Sequence, residues 1–232
     1  MHIDRMKETR DTARAFAAVV AVFLAILFAG FWIPYFSNFP RFDPDITAVD
    51  HVHGAVLFAW VLLLLVQPLA VQFRKHQLHR YLGRASIGAM ALVLLTSILV
   101  LRKEYGEHLA AGMPDYGALR SEYLSATQLA LVVTAYLLSI NAALRRNIGA
   151  HWRWMAFVLV LLLPAGLART LGYWFDIPQK ESQSICMLVN GAVLTTFLLR
   201  DRVARRSTLV FSYASSAYAA VAAGWYMLGR PV

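Results

Sequence analysis

The sequence predicts an all-α protein, a polytopic bundle of seven transmembrane helices with the N-terminus inside and the C-terminus outside. Three observations lead there. Of the 232 residues, 59% are hydrophobic and 15% charged, against about 45–50% and about 25% in an ordinary soluble domain. One globule of this size cannot hide so much apolar side chain, because small domains keep a large surface for their volume. The apolar residues are also gathered into seven runs near the ~20 residues that cross ~30 Å of hydrocarbon. Finally, Lys and Arg sit between the runs, and loops rich in them alternate with loops that are poor.

The first run, Ala15–Tyr35, follows a polar lead in which Asp4, Glu8 and Asp11 interrupt the basic residues. That lead, and a run longer than a signal-peptide apolar core, make it a span rather than a cleavable signal. His53–Phe73 and Gly83–Leu101 come next, then Tyr123–Leu144 and Trp154–Trp174. Ser184–Leu199 is short, and Thr208–Leu228 is diluted by Ser212, Tyr213, Ser215, Ser216 and Tyr218. The connections are short, as a tight helical bundle requires, so residues 1–232 read as one integral membrane domain.

Orientation follows from the loops. Arg5, Lys7, Arg10 and Arg14 precede the first run, and Arg74, Lys75, Arg80 and Arg84 separate the second from the third. Arg145, Arg146 and Arg153 follow the fourth, and Arg200, Arg202, Arg205 and Arg206 the sixth. The opposite loops hold Arg41, Arg102, Lys103, Arg120, Lys180 and Arg230, with much of the acid. The first set is cytoplasmic by the positive-inside rule. Orientation thus accounts for the net charge of +9, and a lipid bilayer, not nucleic acid, is the expected partner. The lone cysteine, Cys186, lies in an apolar run and reads as packing; there is no C-x-x-C-H for covalent haem.

The topology sorts the histidines. His76, His79 and His151 fall at the inner face, and His51, His53 and His108 at the outer face. His79 and His151 open two different helices at similar depth, so the pair can ligate a b-type haem. With His76, three residues before His79, they can hold Zn or Cu instead. Arg80, Arg84 and Arg153 suit haem propionates or an anionic substrate, and equally serve orientation. His51 and His53 are two apart and point to opposite sides of a helix, so they do not chelate one ion. Gly54, beside His53, leaves room for a neighbouring helix or a flat ligand.

Arg169 lies in the outer third of the fifth run. An arginine there costs roughly 2.5–3.5 kcal/mol on insertion scales, so it pairs, lines a polar cavity or snorkels to the headgroups. Pro164 before it, and Gln67-Pro68 in the second run, are expected to bend their helices. Gln128, Asn190 and the Ser/Tyr face of the last run read as helix–helix glue.

Taken together, His53, then His79-Arg80-Tyr81-Leu82-Gly83, then His151-Trp152-Arg153-Trp154-Met155, then Arg169 resemble the pattern of a family of bacterial multi-pass membrane proteins that has no established activity. The likeness covers roughly residues 50 to 170. It implies a helical bundle in a bacterial inner membrane, with functional weight on His53, His79, His151 and Arg169. The chain is more distantly similar to b-type membrane cytochromes, which stack two histidine pairs; only His79 with His151 fits such a pair here. Retinal proteins are excluded because no lysine lies mid-span, and adiponectin-receptor-like hydrolases because the last run has no histidine.

Three functions remain. One is a redox or metal-binding membrane protein with His79 and His151 as ligands, Arg80 and Arg169 as charge partners and His53 as a second outer site or proton relay. Another is a non-catalytic accessory or assembly subunit of a larger membrane complex. The third is a small-anion transporter with Arg169 in its pathway. The orientation is directly testable: a reporter fused after residue 228 should read outside, and one fused in the 145–147 turn should read cytoplasmic.

Overall fold

A computed structural model of the chain describes residues 2–228, so Arg230 lies outside the described residues. Seven α-helices and one short 3-10 turn make up the fold, and no strand occurs among the described residues. The helices are α1 (His2–Trp32), α2 (Ala48–Gln72), α3 (His76–Ala110), α4 (Asp115–Leu144), α5 (Ile148–Phe175), α6 (Gln179–Val203) and α7 (Leu209–Leu228). The first six are long and apolar enough to cross a membrane. Two expectations change here. The sixth run is a full 25-residue helix, not a short one. The seventh reaches 20 residues but is not among the helices apolar enough to cross, so composition supports six crossings rather than seven.

The helices also run past their apolar runs. At 35 residues, α3 is ~52 Å long at 1.5 Å per residue, well beyond the hydrocarbon thickness. Residues 102–122, expected as an outer loop, are instead mostly the last turns of α3 and the first of α4, joined at Gly112. Gly112 has φ +81°, the left-handed conformation that a glycine adopts without steric cost. Lys103, on this extension, reaches back to Asp50 at 2.6 Å. The same carboxylate accepts the Thr47 backbone N–H at 2.8 Å and so caps α2.

The three arginine-bearing turns after α2, α4 and α6 share one design. After α2, α4 and α6 an arginine stands in the left-handed conformation: Arg74, Arg146 and Arg205. In each, the next N–H closes onto a carbonyl one turn back: Lys75 to Ala70 at 2.7 Å, Asn147 to Ala142 at 2.9 Å and Arg206 to Asp201 at 2.8 Å. This is the Schellman closure, which satisfies the carbonyls left open at a helix end. Basic residues expected to set the orientation therefore also end the helices.

Consecutive helices from α1 to α5 pack side by side, and α5 packs back on α1. Across this ring no Cα of α1 lies within 8 Å of α3 or α4, nor α2 of α4 or α5, nor α3 of α5, among the described residues. Five helices thus enclose an interior, with α6 and α7 packed outside against α5 and α4. The ring closes where Gly30 meets Gly166. A Cβ on Gly166 would stand 2.7 Å from the Leu27 Cα, and one on Gly30 would strike the Gly166 carbonyl. Thr170 and Trp174 continue the seam, donating to Ile26 at 3.4 Å and Ala29 at 2.9 Å. Gly54, expected to admit a neighbour, has nothing within 4 Å of its Cβ position; the close approach is on α1 and α5 instead.

On the outside, Val22, Leu92, Leu95, Ile98, Leu137 and Leu188 are exposed, an apolar surface that only lipid covers without cost. Arg153, expected among the orientation charges, is buried. Its guanidinium grips Asp201 of α6 through Nε at 2.6 Å and Nη2 at 2.9 Å, and lies over the Trp152 ring at 4.7 Å. Asn190 donates to the Tyr218 hydroxyl at 3.0 Å and holds α7 to α6, as the polar-glue reading of Asn190 requires. Cys186 is buried.

Unfolding in detergent should separate these contacts. Asp201→Ala leaves a buried guanidinium unpaired and should cost about 3–5 kcal/mol. Gly166→Ala should cost about 1–3 kcal/mol through overpacking, whereas Gly54→Ala should cost nothing measurable.

Candidate functional site

Polar residues of the five ring helices share narrow stripes. On α2, His53, Trp60 and Gln67 are seven apart, which returns a helix to nearly the same face. On α3, Ser86 and Glu104 are eighteen apart, five full turns at 3.6 residues per turn, and His79 lies seven before Ser86. His151 and Arg169 on α5 are also eighteen apart. These stripes meet inside the ring, in an inner group, a middle plug and an outer group.

The inner group is His79 and His151. They stand on α3 and α5, which do not touch, yet lie within electrostatic reach of each other. The Nδ1 of His151 faces the Ser139 carbonyl at 3.0 Å and the Ser139 hydroxyl at 2.8 Å. A carbonyl only accepts, so Nδ1 carries the ring proton and Nε2 keeps its lone pair. The Gln67 amide binds the first turn of α3: its nitrogen donates to Nδ1 of His79 and to the His79 carbonyl at 3.1 Å, and its oxygen accepts from the Gly83 N–H at 2.7 Å.

The pair lies where the sequence put it, on two different helices, but the three-histidine grouping does not form. Among the described residues no three His, Cys, Asp or Glu side chains converge as metal ligands. His76 is the first residue of α3 and is exposed at the end of the bundle, while His79, one turn on, turns to Gln67. His76, His79 and His151 therefore do not form a Zn or Cu centre. Arg80 is exposed but within electrostatic reach of His79.

The plug is Trp60 and Tyr136, both almost fully buried, with ring centroids 5.9 Å apart. They meet across the ring, from α2 and α4. The Tyr136 hydroxyl pairs with Ser86 of α3 at 2.7 Å, so three helices are tied at this level.

The outer group holds His53, Arg169 and Glu104. The Thr96 hydroxyl spends its only proton on its own helix, where the Leu92 carbonyl lies at 2.9 Å. Towards His53 Nδ1, 3.2 Å away, it can only accept, so His53 too is protonated at Nδ1 and has a free Nε2. His53 and Arg169 lie within electrostatic reach across the ring. Arg169 stacks on Phe31 of α1 at 4.6 Å and forms no ion pair within 4.0 Å among the described residues. Its one hydrogen bond among the described residues runs from Nη1 to the Ala165 carbonyl at 2.8 Å. Glu104 lies within electrostatic reach of Arg169 and of Glu122, and Glu122 in turn stands 3.3 Å from Nδ1 of His108. His51 is apart from all this, bonded to the Tyr35 hydroxyl at 2.6 Å and packed on Phe42.

Sequence reasoning missed Ser139, Thr96, Trp60, Tyr136, Glu104 and Glu122, and read Gln67 only as a bend. The seven- and eighteen-residue spacings from His53 and His151 were the available signal. Histidine labelled with nitrogen-15, in lipid, should show His53 and His151 as neutral imidazoles protonated at Nδ1. Thr96→Val should abolish that preference at His53 and leave His151 unchanged. Comparison with protein-family models, with curated proteins and with solved structures finds no match, so the chemistry of this site is read from its own geometry.

Proposed function

We propose that this integral membrane protein is a redox protein in which His79 and His151 would hold one b-type haem. One observation carries the reading. Two imidazoles stand on helices that do not touch yet lie within electrostatic reach of each other, and Nδ1 of His151 is tied to the Ser139 carbonyl, which leaves its Nε2 unprotonated. That is the state a haem ligand needs, since a carbonyl acceptor fixes the tautomer and raises ligand basicity. Neighbouring helices pack at about 8–10 Å, which leaves about 13–16 Å between axes of non-adjacent members of a five-membered ring. Arg80, at the cytoplasmic end near His79, is the residue to hold a propionate. The haem would supply one-electron chemistry; the protein supplies the ligands, their orientation and a water-poor surround.

The resemblance to bacterial multi-pass membrane proteins with the same histidine pattern favours the same two residues and an inner-membrane location. The test is spectroscopic. Protein made with ample haem and purified in mild detergent should show a reduced-minus-oxidised b-type spectrum. That spectrum should vanish in His79→Ala and in His151→Ala and persist in His53→Ala. A protein that stays colourless, or whose colour survives both inner substitutions, overturns the reading. A colourless protein that brings down a stoichiometric membrane partner would mark it as an accessory subunit.

A further inference from the structure

Four residues other than glycine stand in the left-handed backbone conformation among the described residues, and their charges divide by the end of the bundle. Arg74, Arg146 and Arg205 follow α2, α4 and α6 at one end, whereas Asp176 follows α5 and Gly112 follows α3 at the other. That conformation is strained for any residue bearing a Cβ and free of strain for glycine. A turn built for folding alone would carry glycine at each place, as the turn after α3 does. A helix C-terminus favours a cation, but it does not dictate one, because Asp176 occupies such a position on α5. The basic end therefore keeps three arginines where the backbone prefers glycine.

Their side chains hold nothing in the fold. All three are exposed, and none of the three guanidiniums has a hydrogen bond, ion pair or ring contact among the described residues. A second basic residue adjoins each: Lys75, Arg145 and Arg206. Of the carboxylates whose side chains are described, only Asp11 and Asp201 lie toward this end, and Asp201 is spent on Arg153. Each turn also exposes a large apolar side chain beside its cations: Phe73 is 65% exposed, Leu144 79% and Val203 86%.

Cation and apolar side chain together define the partner. A guanidinium takes two oxygens of a phosphate in a bidentate pair, and basic clusters at a bilayer surface draw anionic headgroups. A free phosphate offers nothing to Phe73, Leu144 or Val203, whereas the ester and acyl region of a phospholipid covers them. No Cα of α2, α4 or α6 lies within 8 Å of either of the other two among the described residues, so the turns are spread around the bundle. One acidic protein patch does not reach all three; lipids, which surround the bundle, do.

We propose that these turns bind anionic phospholipid, one headgroup phosphate at each, held between the left-handed arginine and the basic residue beside it. The apolar side chain of the turn packs on the lipid below its phosphate. This binding does not depend on a haem at the inner pair.

The test titrates palmitoyl-oleoyl phosphatidylglycerol or phosphatidylcholine into the full chain, stripped of lipid in mild detergent, and counts bound lipids by native mass spectrometry. Phosphatidylglycerol should bind about tenfold or more tightly than phosphatidylcholine. Arg74→Gly, Arg146→Gly and Arg205→Gly should each weaken one site by about fivefold, and the triple variant should lose the preference. Because glycine suits these turns, melting temperatures without lipid should hold or rise. The triple glutamine variant keeps each Cβ; it should lose the preference as well, and it replaces the glycine triple if that fails to fold. Arg41→Gln, Arg102→Gln and Lys180→Gln together remove equal charge at the other end and should leave the preference unchanged. Equal binding of the two lipids by folded wild-type protein, a preference kept in a folded triple variant, or equal loss in the outer-end control overturns the proposal. Binding of inorganic phosphate or of a polyglutamate peptide where phosphatidylglycerol does not bind also overturns it, in favour of a soluble anion or an acidic protein.

Discussion

The interior exists because two glycines let α5 lie against α1. Helices packed in sequence order, α1 to α5, form an open arc; Gly30 against Gly166 turns the arc into a ring. Within a bilayer no hydrophobic force drives helix on helix, so such a contact draws on close van der Waals packing and on the hydrogen bonds that proximity allows. Both are present here, since Thr170 and Trp174 donate to α1 carbonyls beside the glycine contact. Without that closure, α5 would have no reason to present His151 and Arg169 to α2 and α3. Every polar pairing across the interior depends on the seam.

Hydrocarbon then dictates what the ring contains. A polar side chain carried to this depth must find its partner inside the bundle, and four of them do so on another helix. Gln67 bonds α3, Ser139 bonds α5, Tyr136 bonds α3 and His53 bonds α3. The result is a stack in which two polar groups are separated by the Trp60–Tyr136 pair. His151 and Arg169, eighteen residues apart, lie ~27 Å from each other along one rigid helix. Inner and outer groups therefore belong to one frame, although they share no direct contact.

Spans and turns were legible because apolar runs are themselves the physical cause of insertion and the turns between them are polar. The shared end of His79 and His151 was legible for the same reason, since both stand beside the basic turns at one end of the bundle. Helix ends were not. Residues 102–122 are polar because they stand in the headgroup region and beyond it, and composition there does not tell helix from loop. Nor does sequence show which glycine meets a neighbour: Gly54 was a reasonable candidate and has open space, while Gly30 and Gly166 carry the contact. Partners on other helices, such as Ser139 for His151 or Asp201 for Arg153, depend on rotation about each axis, which a linear pattern fixes only in combination.

That rotation has an identifiable cause on α5. Arg153 follows His151 by two residues, about 200° around the helix, so the two side chains leave from opposite sides. The bidentate pair with Asp201 draws the Arg153 side onto α6, outside the ring. A buried guanidinium tolerates little departure from such a partner, and a helix held on one side has its other side assigned. His151 is thereby turned inward, and Arg169, five turns further on, is turned inward with it. An ion pair that touches neither group thus sets the facing of both.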